Sequence, residues 1–216
     1  MSRWGMVIDI KKCVSCYACV IACKQEYFLP PGVFFNKVLV NEVGEYPNAK
    51  KSPLPVLCNH CKNALCVEVC PTSASSKRDD GIVVIDPDKC TGCQHCELSC
   101  PYNQRSYFDG DRREFFPGQG KTELEEIGEL LCPHQDGTMM KCEFCKTRID
   151  NGIQKGLKPG IDKEASPACV NVCMCRARIF GDLDDPYSNV SVLIRERNGY
   201  CLHPEYDAEP AVFYIE

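Results

Sequence analysis

Nineteen cysteines in 216 residues exclude a small disulfide scaffold, because the chain is too long for one and the odd count leaves a thiol over. A formal net charge of −5 with a pI near 5.5 excludes a general nucleic-acid footprint, which needs a basic face. The length allows one large domain or two of about 100 residues each, ample for a buried core.

The chain opens on Met1-Ser-Arg-Trp-Gly-Met, which has no paired arginines, no long apolar core and no small-residue cleavage site. No export signal is expected in it. Val7-Ile-Asp-Ile-Lys-Lys-Cys13 then echoes Val84-Ile-Asp-Pro-Asp-Lys-Cys90, and each leads into a C-x2-C-x2-C-x3-C group, an internal repeat. The first group is Cys13, Cys16, Cys19 and Cys23; Lys24 stands where the later groups have proline or methionine, so this exit is expected to run on as a short helix reaching Glu26. Residues 30–56 read as an irregular, proline-rich connection with one strand-like run, Phe34 to Val43.

The second group is Cys58-x2-Cys61-x4-Cys66-x3-Cys70-Pro71, and the third is Cys90-x2-Cys93-x2-Cys96-x3-Cys100-Pro101. Between them Asp80-Gly81 reads as a turn and Ile82 to Asp86 as a strand. After Pro101 comes a long insertion whose segment Thr122 to Leu131 has a capping-box start and apolar residues at 124, 127, 130 and 131, predicting an amphipathic helix. That helix is expected to pack on its own domain, with a docking surface for a partner as the second reading. Gly118-Gln-Gly-Lys-Thr122 lacks the glycine a P-loop needs at position 115. The fourth group, Cys142-x2-Cys145 with Cys169-x3-Cys173, is split by a loop rich in Lys, Gly and Pro. A helix over roughly 188–198 and an expected edge strand at Ala211 to Ile215 close the chain. The longest apolar runs fall far short of the ~20 residues of a membrane span.

Three thiolates at x2 spacing fold around one corner of a [4Fe–4S] cubane, while a fourth, followed by proline, serves a neighbouring cluster. Sixteen cysteines in four such groups therefore match four [4Fe–4S] clusters. Sharing within pairs of groups gives cluster A to Cys13, Cys16, Cys19 and Cys173, and cluster B to Cys142, Cys145, Cys169 and Cys23. Cluster C falls to Cys58, Cys61, Cys66 and Cys100, and cluster D to Cys90, Cys93, Cys96 and Cys70. Iron through these sixteen cysteines is the expected metal; zinc sites use two pairs across a spacer instead of three successive x2 cysteines. Cys132, Cys175 and Cys201 are left over as bystander thiols, with Cys132 the one near enough to the fourth group to substitute as a ligand. His60 and His95 lie inside motifs that are complete without them, so hydrogen bonding around the ligands or simple exposure is expected of each. Lys11, Lys12, Lys24, Lys89 and Arg176 flank motifs, where they would raise local potentials, with solvated surface charge the reading for most of them.

The expected fold class is α+β: two nested bacterial-ferredoxin-like 2[4Fe–4S] modules with short strands and helices, long loops and insertions. The outer module takes 1–30 with 141–186 and the inner 55–108. A connection at 31–54, an insertion at 109–140 and a C-terminal extension at 187–216 complete the chain.

Met6-Val-Ile-Asp-Ile-Lys-Lys-Cys13, Cys66-Val-Glu-Val-Cys-Pro-Thr72, Gly81-Ile-Val-Val-Ile-Asp86 and Phe180-Gly-Asp-Leu-Asp-Asp-Pro186 together resemble the four-cluster iron–sulfur electron-transfer subunits of dimethyl sulfoxide reductase-group molybdopterin oxidoreductases. Polysulfide, tetrathionate and respiratory arsenate reductases carry such subunits. Met174-Cys175 departs from the proline and threonine many of these have after the last ligand. The resemblance implies an electron-transfer subunit, not catalytic alone. Its implied partners are a large molybdopterin (Mo or W) catalytic subunit and a quinone-reactive membrane subunit, with no nucleic acid. It implies attachment to the membrane through partners, either on the periplasmic face by co-export or in the cytoplasm. A zinc-stapled interaction module and a stand-alone polyferredoxin are the alternatives.

Overall fold

The computed structural model describes residues 2–110 and 114–216; Met1 and positions 111–113 of the expected insertion lie outside the described residues. Nine strands and seven α-helices are named among them, and the four cysteine groups sit where these elements meet. Strand β1 (Trp4–Asp9) leads into the first group, and helix α1 (Ala18–Glu26) carries its last two cysteines onward. Strands β2 (Asn36–Val43) and β3 (Lys50–Leu57) form a hairpin that delivers the second group. Helix α2 (Leu65–Glu68) and the pair β4 (Ser75–Lys77) and β5 (Val83–Ile85) join it to the third group. Helix α3 (His95–Leu98) and strand β6 (Ser106–Phe108) follow.

After helix α4 (Glu123–Leu131), strand β7 (Thr138–Met140) pairs back onto β6 and enters the fourth group. Helices α5 (Lys146–Gln154) and α6 (Ala168–Asn171) precede strand β8 (Arg178–Asp182), helix α7 (Asn189–Glu196) and strand β9 (Val212–Ile215). The pairing is cyclic: the strand after each group pairs with the strand before the next, and β8, after the fourth, pairs antiparallel with β1, before the first. Strand β9 adds to the free edge of β1 in parallel, as the apolar end of the chain predicts. First and last cysteine segments thus share one sheet.

One apolar core runs through the cysteine sets and includes Met6, Ile8, Leu29, Phe144, Phe180 and Tyr214, with Cys23, Cys142 and Cys169 inside it. Trp4 stacks on Phe180, and Phe144 meets Phe180 edge-on at 5.3 Å. A second cluster, Val7, Val190 and Ile215, seats α7 on the other face of β1. Each fully buried side chain of this size stabilises by about 1.5–3 kcal/mol.

Four expectations need correction. Residues 50–57 are a strand, not irregular connection: Pro53 and Pro55 have the same parity, so both missing N–H groups face the outer edge of β3. The Pro55 carbonyl on that edge accepts from Tyr214 Oη at 2.9 Å. The segment splitting the fourth group is not simply a loop, since α5 forms there and packs through Gly152 against Ala165. Lys24 is half-buried rather than freely solvated, and its Nζ donates to the carbonyls of Pro30 and Val33 at 3.0 and 3.1 Å. Helix α4 has its capping box, with Thr122 and Glu125 bonded reciprocally, but it rests on Phe28 through Gly128. Leu124, Ile127, Leu130 and Leu131 are all exposed.

Candidate functional site

The four groups share one local fold. In each, the residue two beyond the first cysteine is left-handed: Ser15, His60, Gly92 and Phe144. Turns of this kind aim successive backbone N–H groups into a concavity that suits an anion, as at many iron–sulfur sites. The third cysteine is in each case the second residue of a helix, as Cys19, Cys66, Cys96 and Cys169. The second, third and fourth groups then leave through a left-handed residue three beyond the last cysteine, Ser73, Asn103 and Arg176. The first has no proline after Cys23 and continues as α1 to Glu26. Gly92 is required by more than its positive φ, since a Cβ there would meet the Gly137 carbonyl oxygen at 2.1 Å.

Cys13, Cys16, Cys19 and Cys173 line a single cavity. Burial pushes the Cys13 thiol up, and the Cys19 and Cys173 thiols add to it, while the Arg178 guanidinium opposes them. The Ala177 N–H donates to Cys173 Sγ at 3.2 Å. Cys23, buried in α1, faces Cys142, Cys169 and Cys145, and burial followed by these three thiols raises it far above its ordinary value. Cys58, Cys61, Cys66 and Cys100 line a second cavity. Cys61 is pushed up to about 12, first by burial and then by those three thiols. Cys96 is raised by burial and faces Cys70 and Cys90, with Arg105 pulling the other way. Cys93 stands exposed at the rim of this set, three residues from Cys90 and from Cys96.

Buried thiols close together, as Cys23, Cys142, Cys145 and Cys169 are, push one another's ionisation up, so that set takes its thiolate form only against bound positive charge, which iron supplies. Cys70, despite its burial, is held below its ordinary value by hydrogen bonds, that of the Ser75 N–H foremost. Among the described residues, no three cysteine, histidine or carboxylate side chains converge as they would on a single ion. The thiols instead surround space, as a cubane requires. Two buried donors point the same way at the Cys58 set. His60 accepts from the Val83 N–H at Nδ1 at 3.0 Å, and burial, then Lys141 and Arg105, hold it neutral, so the proton sits on Nε2. That Nε2 and Arg105 Nη1 have no partner among the described residues, and both residues line the cavity. N–H donors to sulfur are what a cluster would use there. The amide oxygens of Asn59 and Gln104 at the same cavity are also unpaired.

Of the leftover cysteines, Cys175 and not Cys132 lines a cysteine cavity, that of the Cys13 set. Cys132 lies beside α4 with Phe28, Phe108 and His134. Cys201, raised to about 11 by burial, sits near Tyr102, which lines the Cys58 cavity. His95 is exposed.

Three buried cations escaped the sequence reading. Arg178 bonds Asn36 Oδ1 at 2.7 Å and reaches Cys169 Sγ at 3.9 Å. Arg105 bonds Ser75 Oγ at 2.7 Å, and the Ser75 N–H donates to Cys70 Sγ at 3.3 Å. Lys141 donates to the carbonyls of Val83 and Cys142. A signal for two of them was present, because Arg105 and Arg178 each stand five residues beyond the last cysteine of their group.

The model of the 4Fe-4S dicluster domain matches residues 50–115, which hold the second and third groups. Relatives match over essentially the whole chain. A Halobacterium salinarum protein provisionally named as the iron–sulfur subunit of a dimethyl sulfoxide reductase is 39% identical, covering 100% of this chain and 79% of its own length. A sulfite dehydrogenase subunit of Allochromatium vinosum is 37% identical, with 100% and 83% covered. The arsenate respiratory reductase iron–sulfur subunit of a Shewanella species is 34% identical, with 99% and 96% covered. The chain therefore belongs to the family of electron-transferring iron–sulfur subunits that serve reductases of the dimethyl sulfoxide reductase group.

Proposed function

We propose that this chain relays single electrons through four [4Fe–4S] clusters, one in each thiol set, between a molybdenum- or tungsten-pterin catalytic subunit and a quinone-linked membrane subunit. The observation that carries the reading is the order in which the sets touch. Arg178 acts on Cys19 of the first set and on Cys169 and Cys142 of the next. Cys142 in turn faces Cys58, and Arg105 acts on Cys58, Cys66 and Cys96. This order supports a single line of sets, A–B–C–D.

Bound clusters supply the one-electron chemistry; the chain supplies ligation, N–H donors to sulfur, burial and nearby charge, which tune potentials. Cys19 and Cys23 belong to different sets yet lie four residues apart on α1, so that helix joins two neighbouring sets across ~6 Å of rise, about one turn. The relatives are named as single subunits of reductases and of a dehydrogenase, which supports a separate catalytic partner. Among the described residues no helix is long and apolar enough to cross a membrane, and membrane attachment is assigned to the partner. The two-module nesting, outer around inner, is supported by the β1–β8 pairing across the chain.

Anaerobic reductive titration of the purified chain tests the relay. Uptake of about four electrons per chain, one per cubane, with bleaching of a broad brown absorption is the expected result. Uptake of about two or fewer would contradict it.

A further inference from the structure

We propose that Arg178, Lys141 and Arg105 are inter-cluster charge bridges, one at each of the three junctions between successive thiol sets, each raising the reduction potentials of the two clusters it separates. The inference rests on the four-cluster reading above and goes beyond it, because it assigns a role to three residues outside the ligand sets. It begins from burial. Arg105, Lys141 and Arg178 are 4%, 3% and 4% exposed, and they are the only buried lysines and arginines among the described residues.

A buried cation is strongly unfavourable unless negative charge stands beside it. Among the described residues, none of the three has a carboxylate within ion-pairing distance; the groups they bond are neutral. The nearby groups able to carry negative charge are cysteine thiols. Arg178 lines the cavity of set A with Cys19 and reaches Cys169 Sγ of set B at 3.9 Å. Arg105 lines the cavity of set C with Cys58 and Cys66, and bonds the Oγ of Ser75, whose N–H donates to Cys70 Sγ of set D. Lys141 precedes Cys142 of set B, bonds its carbonyl at 2.8 Å, and also donates to the carbonyl of Val83, which lines the cavity of set C. Each junction thus has one cation, and each cation has a set on either side.

Each added electron makes a thiolate-ligated cluster more negative, so an adjacent fixed positive charge favours the reduced form. A cation shared by two clusters favours both. The two internal sets, B and C, each touch two bridges, whereas A and D touch one. The bridges therefore act most strongly on the middle of the line, where an electron has left one partner and not yet reached the other.

The test is a redox titration of the whole chain in its complex, followed by electron paramagnetic resonance. Each signal is assigned by the change that a Cys→Ser variant of its own set produces. Arg178→Met is expected to lower clusters A and B by at least about tenfold in the reduction equilibrium, ~59 mV for a one-electron couple, and to leave D in place. Lys141→Met should lower B and C, and Arg105→Met should lower C and D. Arg178→Lys and Arg105→Lys keep the charge and should restore most of the shift, which a role in packing alone would not predict. Where a methionine variant loses iron, the glutamine variant and the charge-keeping one, Arg105→Lys, Arg178→Lys or Lys141→Arg, replace it. Full iron with near-native potentials in the charge-keeping variant, beside lowered potentials or lost iron in the glutamine variant, supports the proposal. Equal loss of iron in both overturns it, as do unshifted potentials or an equal shift of all four clusters. The iron content of the unaltered chain checks the four-cluster reading separately.

Discussion

Met139 donates its backbone N–H to Cys90 Sγ at 3.4 Å across 49 residues of chain. The strand that ends the insertion thereby supplies a hydrogen bond to the third cysteine group. Because that N–H faces Cys90 rather than the β6 partner Tyr107, Met139→Pro removes it without breaking the two-stranded ladder, as Pro53 and Pro55 show on β3. The lost bond to a charged sulfur is worth about 1.5–3 kcal/mol at most. The cluster held by Cys90, Cys93, Cys96 and Cys70 should fall in potential while the other three hold theirs, as a redox titration of the variant would read.

Ligand sharing makes a prediction that crosses group boundaries. Cys100 is the last cysteine of the third group in sequence but lines the cavity of Cys58, Cys61 and Cys66. Cys100→Ser should alter the spectrum of the cluster held by those three and leave the Cys90 set largely intact. Cys23→Ser should likewise act on the Cys142 set, and Cys173→Ser on the Cys13 set. Loss of the Cys90 signal in Cys100→Ser, with the Cys58 signal unchanged, would refute the assignment.

Acid should loosen the sheet that joins the two ends of the chain. Asp9 is buried at the end of β1, bonded to Arg197 at 2.6 Å and to the Lys12 N–H at 3.2 Å. Burial raises its carboxyl, but the bonds and charges of Arg197 and Lys12 outweigh that and hold it below its ordinary value. The sign follows: the folded pKa lies below the unfolded one, so the stabilisation is full above about 3.9, the unfolded value. It fades as pH falls through the lower folded value. Asp9→Asn should destabilise by roughly 1–3 kcal/mol, less than a fully buried pair because Arg197 is partly exposed, and should flatten the acid limb of a thermal-melt profile below pH 4. An unchanged acid limb would show that the carboxylate does not contribute.

Much of this was legible because it is local. The four cysteine spacings, the exit of the first group into α1, the capping box at Thr122 and the strands before Cys13 and Cys90 are all encoded within a few residues. The two echoed aspartates show where local reading stops: Asp9 is buried against Arg197, while Asp86 bonds Lys89 near the surface. Strand β3 was hidden because Pro53 and Pro55 read as breakers, and only the partner strand reveals that their N–H side is free. Helix α5 was hidden by Gly152, whose missing side chain lets Ala165 approach. The leucines of α4 had the period of a buried face, yet Gly128 is what lets that helix meet Phe28. Arg105 and Arg178 share their place five residues past the last cysteine of a group, but nothing in a sequence says which arginine is buried without a carboxylate.

Iron and acid-labile sulfide, measured on intact chain purified without oxygen, test the four-cluster relay most directly. The sixteen cysteines of the four sets predict about sixteen irons and about sixteen sulfides per chain. About twelve irons or fewer in intact protein, or stoichiometric zinc in a colourless one, would contradict it.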